Sequence, residues 1–362
     1  MNYIIIPTLS FGGAEKIVKS ILENSKNYKA ICFFKTKDSY LNDRSVRYIV
    51  PFFPRGKFLK SISYCFVFFW ILFFLIFRRN SYIQTHLHTT SIILYIAKKI
   101  TLNNSIHDSV IHGRLSVEEN KGELYFNLLI KAYKCSRNII CVSEGVVSEV
   151  NDFNLKNTLL IRNSMCNDIV YSSDGKLKNK LMFVGRLNKV KRLSDLIDAL
   201  SLIKHNVCLD IYGVGPDEFL FKNKIKENGL YDRIKFLGFD KDVHKKYKYY
   251  DLLVSCSESE TFSLTILEAL VSGTPVLSSN CPYGPMEIVN VSKSKYQSID
   301  KVFNSGRGAL FYPVGEVGLL VDSINYYYDN EHDIIVDESY SKHLKNKYSL
   351  GEMVRLYDDL TL

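Results

Sequence analysis

Short apolar runs alternate along the chain with stretches whose apolar residues recur at helical spacing, the pattern of a parallel α/β architecture. The runs form two series. The first predicts strands near residues 3–6, 30–34, 82–85, 104–107, 138–142 and 158–161. The second predicts strands near 181–184, 208–212, 234–237, 252–256, 275–278 and 309–311, with helices such as 192–203 between them. A polar stretch, 171–180 (YSSDGKLKNK), separates the series. The expected organisation is therefore a first domain over 1–170, a linker over 171–180, a second domain over 181–340, and a C-terminal helix within 341–362 that packs back on the first domain. Two doubly wound, Rossmann-like halves facing each other would hold a ligand in the cleft at the carboxyl ends of both sheets.

One run breaks the alternation. Residues 62–77, ISYCFVFFWILFFLIF, are the most hydrophobic segment and carry basic residues at both ends. Sixteen residues make a helix of about 24 Å, short of the roughly 30 Å hydrocarbon core, so a full span is not expected. Two readings stay open. The segment is either a helix buried in a domain core or a helix in the membrane interface, with Trp70 and the phenylalanines inserted and Arg78 and Arg79 on headgroups. No cleavable signal peptide is expected in MNYIIIPTLS, which lacks a basic n-region.

Charge favours an anionic partner for the same region. Of the net +9, residues 1–100 supply +11, with 15 Lys and Arg against Glu15, Glu23, Asp38 and Asp43. No acid occurs between Asp43 and Asp108, where Arg44, Arg47, Arg55, Lys57, Lys60, Arg78, Arg79, Lys98 and Lys99 lie. Nucleic acid, a phosphorylated small molecule and acidic headgroups all suit such a surface. The aromatics are grouped in the apolar run rather than interleaved with basic residues, and no nucleic-acid module is present, so nucleic acid is not the expected partner. An anionic membrane surface meeting 55–79 is.

The 362 residues suit two domains, and 46% hydrophobic with 23% charged residues is a globular composition. Mean hydropathy of −0.04 excludes a polytopic membrane protein. The eight cysteines are scattered without C-x-x-C pairs, which reads as reduced thiols of a cytosolic protein.

Candidate chemistry gathers at strand ends. Gly12-Gly13-Ala14-Glu15 follows the first strand, where paired glycines and a helix N-terminus suit a diphosphate; a plain tight turn uses the same pair more often. In the second half, Gly185-Arg186-Leu187 ends a strand and Lys191 follows. Two cations there suit a departing pyrophosphate. Beyond them come Tyr212-Gly213, Leu237-Gly238, the run from Ser257 through Glu260, Phe262, Ser263 and Leu264 to Glu268, and Gly273-Thr274-Pro275. With a helix starting near Ser263, Glu260 sits in the preceding loop and Glu268 about a turn and a half inside. Any one of these charged residues is more often merely solvated; the ordered set is harder to dismiss.

At these residues the chain resembles the retaining GT-B glycosyltransferases of family four, of the type that builds bacterial surface glycans. Gly12-Gly13-Ala14-Glu15, Val142-Ser143, Arg162-Asn163, Gly185-Arg186-Leu187 with Lys191, and Glu260-x7-Glu268 with Gly273 and Pro275 carry the resemblance. It implies that Arg186 and Lys191 bind the diphosphate of a nucleotide-sugar, aided by backbone at Gly12, Gly13, Phe262, Ser263 and Leu264. Glu268 would hold the ribose hydroxyls, Glu260 the sugar hydroxyls near the reacting carbon, and strand 234–238 would line the base, with Gly213 and Gly238 among the donor-binding residues. Cys281-Pro282-Tyr283-Gly284-Pro285-Met286-Glu287-Ile288 looks like the variant loop of surface-glycan enzymes. The family also places a first-domain histidine near the anomeric carbon. His107, which ends an expected strand, is the first choice and His112 the second, with His86 and His88 open.

The resemblance further implies transfer of a hexose or N-acetylhexosamine, from a UDP-sugar before a GDP-sugar. The acceptor would be a glycan or a polyprenyl-diphosphate-linked glycan, at the cytoplasmic face of the plasma membrane. Configuration would be retained with no metal, the cations replacing it, and with no cofactor beyond the donor substrate. Two alternatives are a nucleotide-sugar epimerase of the same fold and, from a different class, a basic nucleic-acid-binding protein.

Overall fold

The computed structural model describes residues 2–10, 12–37, 45–173, 175–291 and 300–361. Asp38, Asp43 and Arg44, from the charge pattern, lie outside them. The chain divides into two units, residues 1–163 with 350–362, and residues 164–349.

Unit 1 is built on β1 (Asn2–Ile6), β2 (Tyr28–Phe34), β3 (Val46–Val50), β4 (Tyr82–His86), β5 (Ile106–Ile111), β6 (Ile139–Cys141) and β7 (Thr158–Leu160). They form one parallel sheet in the order β3-β2-β1-β4-β5-β6-β7. β1 and β2 are near-continuous apolar runs because helices cover a parallel sheet on both faces. The helices are α1 (Gly13–Asn24), α2 (Lys57–Phe77), α3 (His88–Thr101), α4 (Leu115–Glu119), α5 (Glu123–Lys134) and α6 (Glu144–Asp152).

Unit 2 repeats the plan with β8 (Leu177–Val184), α7 (Leu193–Leu202), β9 (Cys208–Tyr212), α8 (Glu218–Glu227), β10 (Ile234–Gly238), β11 (Tyr250–Ser255), α9 (Leu264–Val271), β12 (Val276–Ser279), α10 (Gly284–Ile288), β13 (Phe303–Asn304), β14 (Ala309–Tyr312), α11 (Val317–Asp329) and α12 (Glu338–Lys347). The order is β10-β9-β8-β11-β12-β14-β13, with only β13 antiparallel. In both sheets the winding reverses once, between β1 and β4 and between β8 and β11. Those are the switch points beside which doubly wound sheets bind ligands.

Four expectations shift. β8 starts at Leu177, so residues 177–180 of the expected linker lie in the sheet. Leu177 pairs with Tyr250, and Lys180 donates its N–H to Asp251 Oδ2 (2.9 Å) and its ammonium to Asp210 Oδ1 (2.8 Å). The single expected C-terminal helix is two: α12 in unit 2 and α13 (Leu350–Asp359) in unit 1. Within unit 1, Ser25 Oγ donates to Asp358 Oδ1 at 2.6 Å, Tyr28 donates to the carbonyl of Tyr357, and Arg137 donates to that of Leu360 at 2.9 Å. The third shift moves a strand. β5 begins where the sequence reading ended it, so His107 is its second residue and His112 follows its carboxyl end.

The fourth concerns the apolar run. α2 has 21 residues, about 31 Å, rather than sixteen and about 24 Å. It begins after Gly56, whose φ of +82° suits glycine. By length and composition alone it could cross a membrane, yet only 22% of its apolar window is buried. That part is a stripe at four-residue spacing, Ser63, Val67, Ile71 and Leu75, docked beside β3 and α3. Phe66, Phe69, Phe73 and Phe77 on another face are more than half exposed. Burial in a core therefore describes one face of α2.

Candidate active site

In unit 2 the loops leaving β8, β9, β10 and β11 converge, and backbone hydrogen bonds tie them together. Gly185 N–H donates to Tyr212 O (3.0 Å), Leu187 N–H to Val214 O (3.1 Å), Gly213 N–H to Gly238 O (2.8 Å) and Glu258 N–H to Val190 O (2.8 Å). Gly213 has φ +147°, and a Cβ there would stand 1.8 Å from the carbonyl oxygen of Gly185. Only glycine permits that approach.

This frame places the expected cations. Arg186 lies exposed just past β8, its side chain in no ion pair or hydrogen bond with a described residue. Lys191 ends a 3-10 turn, Lys189–Lys191, capped by Asn188. Its ammonium donates to Glu260 Oε1 at 2.5 Å, and Ser257 Oγ donates to the same oxygen at 2.8 Å. The Glu260 side chain is 12% exposed. Glu260 thus sits before the helix, as expected, and meets Lys191 across the switch point.

Ser263 caps α9 with φ +70°, and Leu264 is the helix's first residue. The amides of the first turn have no intrahelical acceptor, and the positive end of the helix dipole points with them. Phe262 is buried, its ring 5.4 Å from that of Tyr348, while its carbonyl leaves no room for a side chain at Gly284. Glu268 is 2% exposed, with Tyr247 donating weakly to its Oε2 at 3.5 Å. Burial and then Glu268 hold the Tyr247 phenol well above its ordinary pKa.

An Asp-x-Asp pair, the usual carboxylate motif for a metal, occurs as Asp240-Lys241-Asp242 after β10. Lysines engage both acids: Lys246 contacts Asp240 at 2.5 Å and Lys245 contacts Asp242 at 3.0 Å. Elsewhere in unit 2, Cys166, Asp168 and His244 stand close enough to share an ion, but Asp168 already accepts from His244 at 3.0 Å and Lys245 at 3.3 Å.

In unit 1, Gly12 and Gly13 follow β1 and open α1. Glu15 folds back so closely that a Cβ at Gly12 would meet its Oε2 at 2.0 Å, and Thr8 donates to its Oε1 at 3.3 Å. His107 is buried near the amino end of β5, its Nε2 3.0 Å from Thr85 Oγ1 and 3.1 Å from Ser109 Oγ. Burial, then the Lys98 charge, pulls its pKa down to about 3. It is a core histidine at the end of the sheet away from the switch-point loops.

His112 has the better position. It stands just past the carboxyl end of β5, its Nε2 2.9 Å from Nδ1 of His86, the last residue of β4. Burial, then His88, pulls His112 down to about 3, and burial with His112 pulls His86 well below its ordinary value. His88 opens α3, its Nδ1 2.5 Å from Tyr133 OH and its buried Nε2 without a partner, facing Gly113. The sequence reading left His86 and His88 open. Their spacing at a strand-to-helix junction was the available signal.

Residues 172–347 match the family described as glycosyl transferases group 1. The match takes in most of unit 2. The peptide N-acetylglucosaminyltransferase GtfA subunit of Streptococcus gordonii is 30% identical over 132 residues, 35% of this chain and 26% of the relative. The lipopolysaccharide 1,6-galactosyltransferase of Escherichia coli K12 is 30% identical over 174 residues, 43% of this chain and 48% of the relative. The chain thus spans a quarter to a half of the length of these curated relatives. Anabaena HepE, solved with UDP and glucose, superposes with a TM-score of 0.80 over 99% of this chain and 98% of its own, at 16% identity. The chain therefore shares that structure's fold, the two-domain GT-B fold.

Proposed function

We propose that the chain is a retaining, metal-independent glycosyltransferase that moves a hexose or N-acetylhexosamine from a UDP-sugar to a glycan or lipid-linked glycan. The observation that carries this reading is the Lys191–Glu260 contact beside Arg186, unpaired among the described residues, at the switch point of unit 2. HepE, bound to UDP and glucose, and the GtfA relative, named for UDP-N-acetylglucosamine, support the choice of donor. The E. coli relative, named for lipopolysaccharide, supports a surface-glycan acceptor.

Arg186, Lys191 and the first-turn amides of α9 hold the diphosphate as the bond from the anomeric carbon to its oxygen breaks and negative charge moves onto that oxygen. Glu260 orients the sugar hydroxyls and Glu268 the ribose. The acceptor oxygen then bonds to the anomeric carbon on the face the diphosphate leaves, passing its proton to the departing diphosphate oxygen. Gly12 and Gly13 approach the donor through backbone, and His112 replaces His107 as the histidine beside the reacting carbon, because it lies at the carboxyl end of its sheet. The protein works at the cytoplasmic face of the membrane, with 55–79 against anionic lipid.

Nucleoside diphosphates and their sugars are screened for protection against thermal unfolding, because a ligand bound only by the folded form stabilises it by about 2.7 kcal/mol at a hundred times Kd. UDP and one UDP-sugar are expected to protect. Transfer is then followed by NMR with EDTA present, where an anomer of unchanged configuration is expected. An inverted product, or activity abolished by EDTA, overturns the mechanism; protection by no nucleotide overturns the function.

A further inference from the structure

A cavity of about 480 Å³ opens at the amino-terminal end of the unit 1 sheet, where β2 and β3 begin and α2 ends. Its lining includes Lys29, Arg47, Trp70, Phe73, Phe77 and Arg78, and among the described residues none that lines it is acidic. None of the three cations pairs with a described carboxylate. The Arg47 guanidinium lies 5.1 Å over the Trp70 ring, which stacks on Phe74 at 5.5 Å and 12°. The Tyr3 ring meets Phe74 edge-on at 5.0 Å. The cavity thus has an aromatic wall and a cationic rim.

The wall continues onto an exposed surface. Phe66, Phe69, Phe73 and Phe77 follow one another along α2 at spacings of three and four, so they share a face, and the rings of Phe73 and Phe77 are 4.7 Å apart. Arg78 and Arg79 follow the helix; Lys57 and Lys60 begin it. An apolar face of this size marks a contact surface, and the charge beside it selects the partner. A protein partner of ordinary composition has no reason to present only anions along such a rim. A lipid monolayer presents anionic phosphates at one depth and hydrocarbon below.

We propose that this cavity is a headgroup site for an anionic phospholipid, whose phosphate meets Lys29, Arg47 and Arg78 while its chains lie along the exposed phenylalanines of α2. Arginine suits the phosphate because its planar fork can donate two parallel hydrogen bonds. The site deepens the membrane-facing part of the proposed function and rests on none of the donor assignments. Its position at the amino ends of the strands separates it from the switch-point loops.

Trp70 is the single tryptophan of the chain, so its fluorescence reports the cavity directly. Vesicles of equal parts phosphatidylglycerol and phosphatidylcholine should blue-shift its emission, and brominated acyl chains should quench it. Vesicles of phosphatidylcholine alone should do neither. Removing a cation from an anionic surface weakens binding about fivefold, so K57Q/K60Q, at the far end of α2, should lose roughly 30-fold. R47Q/R78Q, the same change in charge, also loses the hydrogen bonds to the phosphate and should lose at least tenfold more. Equal losses would mean diffuse attraction without a headgroup site and would overturn the proposal.

So would unchanged Trp70 emission with anionic vesicles, or the same shift from inorganic phosphate alone. Self-association that buries Trp70 without vesicles would assign the face to a second copy instead. R78Q, which leaves the Arg47–Trp70 contact in place, serves if the double variant melts early. UDP protection should persist in every variant; its loss in the wild type as well would count against the donor reading and leave the headgroup result standing.

Discussion

Lys191 Nζ donates to Glu260 Oε1 at 2.5 Å across two loops that leave the neighbouring strands β8 and β11. The contact joins the cation proposed for the leaving group to the carboxylate proposed for the sugar. Only Ser257 also donates to that oxygen among the described residues. Loss of Lys191 therefore leaves a mostly buried carboxylate with one neutral donor, whereas loss of the exposed Arg186 leaves no such orphan.

The two cations should separate accordingly. Lys191→Ala and Arg186→Ala should each lower turnover about 100- to 1000-fold, or 2.7–4 kcal/mol, the typical loss of a transition-state charge partner. Only Lys191→Ala should also lower the melting temperature, read by calorimetry. Wild-type turnover at saturating donor in either variant contradicts the leaving-group role. An early melt in Arg186→Ala contradicts its freedom from partners.

The two glutamates should differ in kind. Glu268→Gln should weaken UDP binding in titration calorimetry, because ribose contacts are present in ground and transition states alike. Glu260→Gln should leave UDP affinity near wild type and lower kcat, because contacts to the reacting sugar strengthen as the bond breaks. Equal effects on UDP affinity would reverse the assignment.

A pair of glycines tests the loop frame. Gly229 has φ +65° with nothing within 4 Å of a built Cβ, so Gly229→Ala should lose only the left-handed preference, about 1–2 kcal/mol. At Gly213 the new methyl would stand 1.8 Å from the Gly185 carbonyl, so Gly213→Ala must also part the loops and should exceed about 3 kcal/mol. It should weaken UDP binding as well. Urea unfolding of unit 2 and UDP titration read both, and equal losses in the two variants would show that the close approach carries no weight.

The alternation of apolar runs revealed most of the fold, because parallel strands buried on both faces, such as β1 and β2, announce themselves. It failed at β5. His107, Asp108 and Ser109 interrupt the apolar pattern, yet all three are buried and satisfied: Arg137 donates to Asp108 at 2.6 and 3.1 Å and Tyr82 at 2.8 Å, while Ser109 lies 2.9 Å from Ser136 Oγ. A strand whose polar groups find partners far along the chain cannot be read from hydropathy. That misplaced the carboxyl end and promoted His107 over His112. β3 escaped notice because VRYIV is five residues long, lies at a sheet edge and is buried only at Ile49 and Val50. The unit 2 residues were legible because glycines at close approaches and charges at strand ends are short-range signals. The Lys191–Glu260 contact was not, since 69 residues separate the partners.

The buried histidines make a prediction about acid. His107 and His112 are held to about 3 by burial, and His86 and His88 are lowered by the same cause. An unfolded histidine titrates near 6.5. Between those values the unfolded chain binds protons that the folded chain refuses, so stability falls as pH falls from 6.5 towards 3 and is fully present above 6.5. Each such histidine contributes a slope of up to about 1.4 kcal/mol per pH unit. Most carboxylates titrate below pH 5, so the window from 6.5 to 5 isolates the histidines. Trp70 fluorescence follows urea unfolding of unit 1, and stability should drop by more than 2 kcal/mol across that window. His107→Gln, whose amide can replace the contacts to Thr85 and Ser109, should reduce the slope by one histidine's share. A flat profile, or a slope unchanged in the variant, would mean that His107 is protonated in the folded protein, and its place among buried hydroxyls would need a different account.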